Sequence, residues 1–271
     1  MPEQSEITIA VNGALGKMGQ TVMSAVEAEP GLKLVGGADP AAADPSVSAP
    51  GTSPVPLSAQ ITDAITAVHP RVIVDFSNAE GAMATFRAAA AAGVCAVSGS
   101  TGLSEENLQE AGTLAEEAGI GIISAPNFAL GAILLTHLAR ISAAYFDYAD
   151  LIESHHEAKI DAPSGTALSI AQAMIDGRGR PFEQNIAEKQ TLSGTRGGEL
   201  GGINIHSARM PGRVARHEVV FGATGQTLSL IHDSTSRDSF MPGVMLAVRQ
   251  VVETKGLIVG LDRVLGLDDK A

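Results

Sequence analysis

Two histidines and a lysine crowd together at His155, His156 and Lys159. They sit inside the stretch Glu153-Ser154-His155-His156-Glu157-Ala158-Lys159-Ile160-Asp161-Ala162-Pro163-Ser164-Gly165-Thr166-Ala167-Leu168. An imidazole titrates near neutral pH and can move a proton, while a lysine can stabilise charge that develops beside it. Pro163-Ser164-Gly165-Thr166 then opens an apolar-periodic run, so it reads as a helix start with Ser or Thr as its cap. Such a start offers free backbone N–H groups and a positive dipole end, both suited to carboxylate or phosphate. The stretch therefore predicts a proton donor set in an anion-binding patch. A solvated charged loop, or a structural histidine, is the blander alternative. Zinc is poorly served, because neighbouring residues on a strand point to opposite faces.

A second candidate lies near the start of the chain, at Gly13-Ala14-Leu15-Gly16-Lys17-Met18-Gly19. The β-branched run Ile7–Val11 precedes it, and a helical pattern from Met18 to Glu29 follows, stopped by Pro30-Gly31. Leu32–Asp39 is then a strand ending on an acid. Strand, glycine loop, helix, strand and acid is the order of a dinucleotide-binding βαβ unit. Its glycines permit a tight turn and close approach of backbone to pyrophosphate. The spacing departs from Gly-x-Gly-x-x-Gly, since Leu15 stands where the middle glycine would be, and small residues at this spacing also serve plain helix–strand packing.

The elements that must position these residues alternate regularly. Pro40–Pro56 reads as a surface loop and Ser58–Val68 as a helix. Arg71–Phe76 is a strand, Glu80–Ala92 an alanine-rich helix, and Val94–Ser98 a strand. Ser104 can cap a helix over Glu105–Ala118, and Ile120–Ser124 is a further strand. The alternation predicts a doubly wound parallel sheet, whose ligands lie beyond the carboxyl ends of the strands. That places Gly13–Gly19, Asp75–Ser77, Gly99-Ser100-Thr101 and Ala125-Pro126-Asn127-Phe128 around one crevice. Leu130–Tyr145 is a long apolar helix, Ala149–Ile152 a short strand, and Ala167–Ile175 helical. The glycine-rich segment from Gly177 to Gly202 reads as a long, partly mobile excursion. Ile203–Arg209, Arg216–Gly222 and Gln226–Asp233 alternate as strands of a second, half-exposed sheet that could face a copy of itself. A last helix over Phe240–Thr254 precedes Val259–Leu265.

The bulk numbers exclude several classes. The 271 residues suffice for two domains, and 45% hydrophobic with 18% charged residues is an ordinary globular composition. A net charge of −12 and 3% aromatics argue against nucleic-acid binding. No apolar run approaches the ~20 residues that span a membrane. Cys95 is the single cysteine and Met1–Glu6 lacks a signal-peptide pattern, so the expected location is the cytoplasm. No metal-ligand spacing of Cys and His is seen, and no metal is expected.

His155-His156-x-x-Lys159-x-Asp161-Ala162-Pro163-Ser164-Gly165-Thr166-Ala167 closely resembles the signature of the 4-hydroxy-tetrahydrodipicolinate reductase (dihydrodipicolinate reductase) family. Gly13, Gly16, Met18 and Gly19 match the family's glycine loop, and His206-Ser207-x-Arg209-x-x-Gly212, His217, His232 and Ser236-Arg237-x-x-Phe240-x-x-Gly243 extend the likeness across nearly the whole chain. Ser100 stands where the family has Thr. The resemblance implies an N-terminal Rossmann-type domain over residues 1–128 with a C-terminal return over 238–271. Residues 129–237 would form an α+β domain whose open mixed sheet serves substrate binding and oligomerisation, in a homotetramer. It implies an NAD(P)H-dependent reduction of a small cyclic imine dicarboxylate, with hydride from the nicotinamide and a proton from the protein. By that pattern His155 is the acid, Lys159 stabilises the developing charge, and His156, Gly165 and Thr166 bind substrate carboxylate. Gly13 to Met18, Gly99 to Thr101 and Ala125 to Phe128 contact the cofactor. A non-catalytic nucleotide sensor, or another imine or amino-acid dehydrogenase, is the rival.

Cofactor choice is read from the residues themselves. Asp39 ends its strand where an acid accepts hydrogen bonds from ribose hydroxyls. Pro40-Ala41-Ala42-Ala43 follow without a cation, and Lys17 is the only close partner for a 2′-phosphate. NADH is therefore expected to be preferred, with NADPH secondary.

Overall fold

β1 (Ile7–Asn12) is buried at all positions but one, because it lies inside a parallel sheet and has no solvent face. After it come α1 (Lys17–Ala28), β2 (Leu32–Ala38), β3 (Ser46–Val47), β4 (Val55–Ser58), α2 (Ile61–Val68), β5 (Val72–Asp75), α3 (Ala79–Ala92), β6 (Cys95–Ser98), α4 (Glu105–Ala118) and β7 (Gly121–Ser124). β1 pairs in parallel with β2 on one side and β5 on the other, and β6 and β7 extend the sheet beyond β5. The order in which strands are added thus reverses at β1, with β2 on one side and β5 on the other, and the carboxyl ends of β1, β2, β5, β6 and β7 share one edge. Helix starts follow local chemistry. Asn78 caps α3, and Ser104 caps α4 in a reciprocal box with Asn107. This computed structural model describes residues 6–184 and 188–267.

The chain divides into two compact units, the first ending at Phe128 and resuming at Phe240, the second spanning Ala129–Ser239. In the second, α5 (Leu130–Ala143), β8 (Tyr148–His155), α6 (Gly165–Arg178), β9 (Gly198–Leu200), β10 (Ile203–Arg209), β11 (Ala215–Ala223) and β12 (Gln226–Ser234) form a mixed sheet in the order β12-β11-β8-β10-β9, backed by the two helices. Leu151, Ile170, Met174, Ile203 and Phe221 are fully buried in its core, and the Phe146 ring stacks on Phe221 at 5.4 Å. The first unit then recovers α7 (Met241–Val251), β13 (Gly256–Val259) and α8 (Leu261–Val264). Its sheet runs β13-β7-β6-β5-β1-β2-β4-β3.

Four stretches of the chain differ from the sequence reading. β8 runs on through Glu153, Ser154 and His155, because ladders to β10 and β11 hold it from both sides. The expected loop after Asp39 contains β3 and β4, which exist through pairing with each other and with β2. The short run Gly256–Val259 becomes β13 by pairing in parallel with β7. The expected mobile excursion begins inside α6, which continues to Arg178, and Phe182 beyond it is buried. It closes on β9; residues 185–187 of it lie outside the described residues, as do 1–5 and 268–271. No helix of the described residues is long and apolar enough to cross a membrane.

Gly177 is a packing residue. A Cβ there would lie 2.2 Å from the Arg140 carbonyl oxygen, where α6 crosses α5. Helix propensity alone would make Gly177→Ala stabilising by about 1 kcal/mol. The close approach makes it destabilising by about 1–3 kcal/mol instead. A urea midpoint below that of the parent chain is the expected result, and a rise would show that the helices can part freely.

Candidate active site

The first cluster gathers at the carboxyl edge of the large sheet. Gly13 has φ +78°, and a Cβ on it would come within 2.7 Å of the Phe76 carbonyl oxygen, so only glycine makes this turn. A Cβ on Gly19 would lie 2.0 Å from the Gly13 carbonyl oxygen, so α1 can approach the loop this closely only without a side chain. The Gln20 side chain clips the turn by donating to the Ala14 carbonyl at 2.8 Å. α1 starts at Gly16 with no side-chain cap, unlike α3, α4 and α6. Its first-turn amides at Lys17 and Met18 could therefore meet an anion behind a glycine turn, next to the point where the strand order reverses. These features fit the pyrophosphate of a dinucleotide.

Asp39, just past β2, accepts from the Leu15 N–H and from the Ala41 N–H, each at 3.0 Å. Its carboxylate is thus tied to the glycine loop. Leu15 and Lys17 are exposed, whereas Ala14 is buried. Gly99, Ser100 and Thr101 follow β6, and Ala125, Pro126, Asn127 and Phe128 follow β7. The Phe76 and Phe128 rings meet at 5.9 Å, and the Phe76 ring covers Gly99 where any side chain would clash.

Asp75, at the end of β5, organises this edge. It is fully buried and accepts from Asn12 Nδ2 at 2.8 Å, Ser77 Oγ at 2.6 Å, and Ser98 Oγ and Ser100 Oγ at 2.7 Å each. Buried polar groups need such partners. Asn12 also donates to Thr85, and the Ser77 N–H donates to Ser100 Oγ. The carboxylate thereby joins β1, β5, β6 and the loops after β5 and β6. Asp75 and Ser77 were legible as crevice residues, but the hub itself was not.

The second cluster lies on the helix-facing side of the smaller sheet. Along β8, Leu151, Glu153 and His155 share that face by the alternation of a strand. Register sets Ser207, Glu153, His217 and His232 directly opposite one another across β10, β8, β11 and β12, with Arg209 opposite His155. Glu153 has no exposed surface. It accepts from His155 Nδ1, and from Arg209 Nη1 at 3.1 Å and Nη2 at 2.9 Å. Burial pushes its carboxyl up, yet the hydrogen bonds of Arg209, Ser207 and His155 outweigh burial and hold it below the usual carboxylate range. His155 lies below the usual imidazole range, lowered chiefly by burial, raised in part by Glu153, and lowered again by the Lys159 and Arg209 charges.

His217 stands edge-on to His155, with ring centres 5.3 Å apart. Its Nε2 is 3.3 Å from Ser164 Oγ, the residue that caps α6 by accepting the Ala167 N–H. Burial first, then the neighbouring charges, bring its pKa down to about 4. Glu153, His155 and His217 present ligand atoms within 4.8 Å of one another. Arg209 nevertheless covers both Glu153 oxygens, so a metal ion would meet a fixed positive charge there. The geometry is that of a buried acid–base cluster.

The other expected residues border it. His156 is exposed just beyond β8. Lys159 Nζ lies 2.7 Å from Asp161, whose carboxyl is held down mainly by Lys159 and also by the Gly165 N–H. Gly165 and Thr166 form the first turn of α6, and the space beside Gly165 is open. Arg209 reaches the same loop by donating to the Asp161 carbonyl at 2.5 Å. The pairing of Glu153 with His155 was visible in principle, from two residues spaced for one strand face. The roles of Arg209 and His217 were not, because strand register brings them in. A cavity of about 390 Å³, lined by Tyr148, Asp150, Ile152, Arg196 and Val220 among others, lies on the opposite face of this sheet from His155.

The chain matches the family described as dihydrodipicolinate reductase in both parts, the N-terminus over residues 7–128 and the C-terminus over residues 131–265. It is 45% identical to a 4-hydroxy-tetrahydrodipicolinate reductase of Dehalococcoides mccartyi, over 96% of this chain and 99% of that one. A reductase of the same name from a Synechocystis species is 42% identical over 98% of this chain and 100% of its own. Among solved structures, a dipicolinate-bound dihydrodipicolinate reductase from a Paenisporosarcina species superposes with a TM-score of 0.85 at 37% identity, covering 95% of this chain and 99% of that one. An amine dehydrogenase of Mycobacterium smegmatis shares the fold at a TM-score of 0.65 and 17% identity, covering 96% of each chain.

The low pKa of His217 makes stability depend on pH. The unfolded histidine takes up a proton as pH falls below 6.5, whereas the folded one resists until about 4. Stability is therefore lost as pH falls through that window, by roughly 3 kcal/mol from this group. His217→Gln keeps a partner for Ser164 but cannot titrate. Urea midpoints between pH 7 and 4.5 should fall less steeply in the variant, and an equal slope would show that His217 is not buried in its neutral form.

Proposed function

The chain belongs to the dihydrodipicolinate reductase family and is an NAD(P)H-dependent oxidoreductase of the diaminopimelate route to lysine; we propose that His155 is its acid. The reaction is the reduction of 4-hydroxy-tetrahydrodipicolinate, through its cyclic imine, to tetrahydrodipicolinate. The first unit holds the nucleotide. Gly13, Ala14, Leu15 and Gly16 let the backbone approach the pyrophosphate, and the Lys17 and Met18 amides meet its charge. Gly99, Ser100, Thr101 and Ala125, Pro126, Asn127 and Phe128 line the remainder of that edge. The bound nicotinamide supplies the hydride.

The second unit binds the dicarboxylate and supplies the proton. His156, the Gly165 and Thr166 amides and the Thr166 hydroxyl take carboxylate, as a helix start does. Lys159 stabilises negative charge on the conjugated imine as hydride arrives, and His155 protonates it. A chain with a net charge of −12 needs such a local cationic patch to hold a dianion. The observation that carries this reading is a buried imidazole backed by Glu153 and set beside Lys159 and a helix start with open space at Gly165. A nucleotide sensor would have no use for that cluster. With substrate made in situ from pyruvate and aspartate semialdehyde by a synthase, NADH oxidation should be substrate-dependent. His155→Gln and Lys159→Ala should each lower kcat by about 10²- to 10⁴-fold, and His156→Ala should act mainly on KM. Near-parental kcat in His155→Gln would remove it from the role of acid.

NADH is the preferred nucleotide in this reading and NADPH the secondary one. The Leu15 and Ala41 amides hold the Asp39 carboxylate beside the loop, where a 2′-phosphate ~4 Å away would cost about 1–4 kcal/mol per charge pair. Lys17 is exposed and offers a screened counter-charge. The ratio of kcat/KM for the two nucleotides should favour NADH and relax in Asp39→Ala. A parental ratio favouring NADPH, abolished in Lys17→Ala, would make Lys17 the phosphate clamp instead.

We assign a homotetramer built on the outer face of the smaller sheet, in the cytoplasm. Ile152, Glu218 and Ile231 stand opposite one another there, and both isoleucines are exposed. Light scattering of the parent chain should report a tetramer and Ile231→Lys a smaller species; a parent monomer at micromolar concentration removes the assignment.

A further inference from the structure

We propose that Glu153 and Arg209 act together as the positioning pair of the acid, fixing the His155 tautomer with Nδ1–H inward and Nε2 toward substrate, and that Arg209 sets this acid relative to the Lys159 loop. The inference rests on the reading of His155 as proton donor and deepens it. Three observations support it. First, His155 Nδ1 points at Glu153, and a carboxylate with no exposed surface and an ionised partner can only accept there. The proton is therefore on Nδ1 in the neutral ring, and the second nitrogen is the one that gains and delivers a proton.

Second, Arg209 engages Glu153 through two parallel N–H···O contacts, the geometry that fixes direction as well as charge. It shares the Oε2 atom with His155, so the carboxylate cannot rotate away from the imidazole without breaking the fork. Third, the same Arg209 nitrogen that holds Oε1 also donates to the Asp161 carbonyl, and Asp161 pairs with Lys159. One guanidinium thus spans the strand that carries the acid and the loop that carries the charge stabiliser. Arg209 lies opposite His155 in the β8–β10 register, so the span is set by the sheet and not by a flexible loop.

The groups that act on His155 come from every side. Glu153 lies on its own strand, Arg209 on β10, His217 on β11 and Lys159 in the following loop. Only Glu153 among them favours the imidazolium. A bound dicarboxylate would add negative charge beside it, so ligand binding should be accompanied by proton uptake on Nε2. Removing the Glu153 charge should move that uptake to lower pH and free the ring to exchange tautomers.

The test uses the full chain labelled with ¹⁵N-histidine, with His155 signals identified by their loss in His155→Gln. In the parent, the neutral His155 should show Nδ1–H and unprotonated Nε2, and dipicolinate should drive proton uptake measured by calorimetry in two buffers. Glu153→Gln should show mixed tautomers, uptake displaced to lower pH, and a fall in kcat of up to about 10⁴-fold, the loss seen when an orienting carboxylate is amidated in a serine-protease triad. NADH affinity should not change. Glu153→Asp should recover part of the loss. Arg209→Lys, which keeps the charge but not the fork, should fall between. If Glu153→Gln does not bind NADH, the Asp and Lys variants carry the test. Unchanged tautomer and proton uptake in variants that have lost activity would overturn the proposal and leave the pair a purely structural one. So would parental kcat in Glu153→Gln. The tautomer and uptake measurements need no turnover, so a parent chain with no reductase activity would refute the functional reading without touching them.

Discussion

A carboxylate with no exposed surface has to be met by donors inside the protein, and much of this structure is arranged around that requirement at Glu153. Its donors are Arg209 from the parallel neighbour strand, His155 from its own strand and Ser207 opposite it. Each is in place only if β8 and β10 pair in one register. A slip of one residue would turn Glu153 to the outer face and leave Arg209 without its partner. The polar cluster therefore selects the register as much as the apolar core does. It also explains why a strand tolerates Glu-Ser-His at its end, where hydrophobic alternation has already stopped.

The large sheet meets the same requirement at Asp75 with a different set of donors. Three serine hydroxyls and an asparagine amide surround the carboxylate, all neutral, where Glu153 has a guanidinium. Those neutral donors serve to hold strand ends and loops against the same two carboxyl oxygens. Glu153, by contrast, is neutralised by Arg209, and its remaining influence is directed through one hydrogen bond to His155. The two buried acids thus do different work: one ties loops together, the other orients a ring.

The two helix starts at the proposed ligand sites also differ for a physical reason. α1 begins at Gly16, which has no side chain to fill the site, so the amides stay available to a diphosphate. α6 is capped by Ser164, which uses one amide and turns its hydroxyl to His217. Its Gly165 amide is engaged by Asp161, which also holds Lys159. A carboxylate ligand would have to compete with that internal acid, whereas the acid nearest the start of α1, Asp39, accepts from the Leu15 amide of the preceding turn.

Much of this was legible from residue order alone. The βαβ unit followed from a β-branched run, a glycine loop and a terminal acid, because those signals are local and their geometry is backbone geometry. The helix start at Ser104, and one within Pro163–Thr166 with Ser or Thr as its cap, followed from capping chemistry, which is also local. The histidine-lysine stretch announced itself by composition, and its likeness to a family signature pointed to the reaction. What only the tertiary structure decided were the features made by pairing. β13 and β4 are strands because β7 and β2 are there to bond them. Gly177 is a helix contact and not the start of an excursion, because α5 passes within reach of it. Arg209 and His217 join His155 because strand register sets residues far apart in sequence side by side, and no local pattern encodes the register between strands separated by a helix and a long connection.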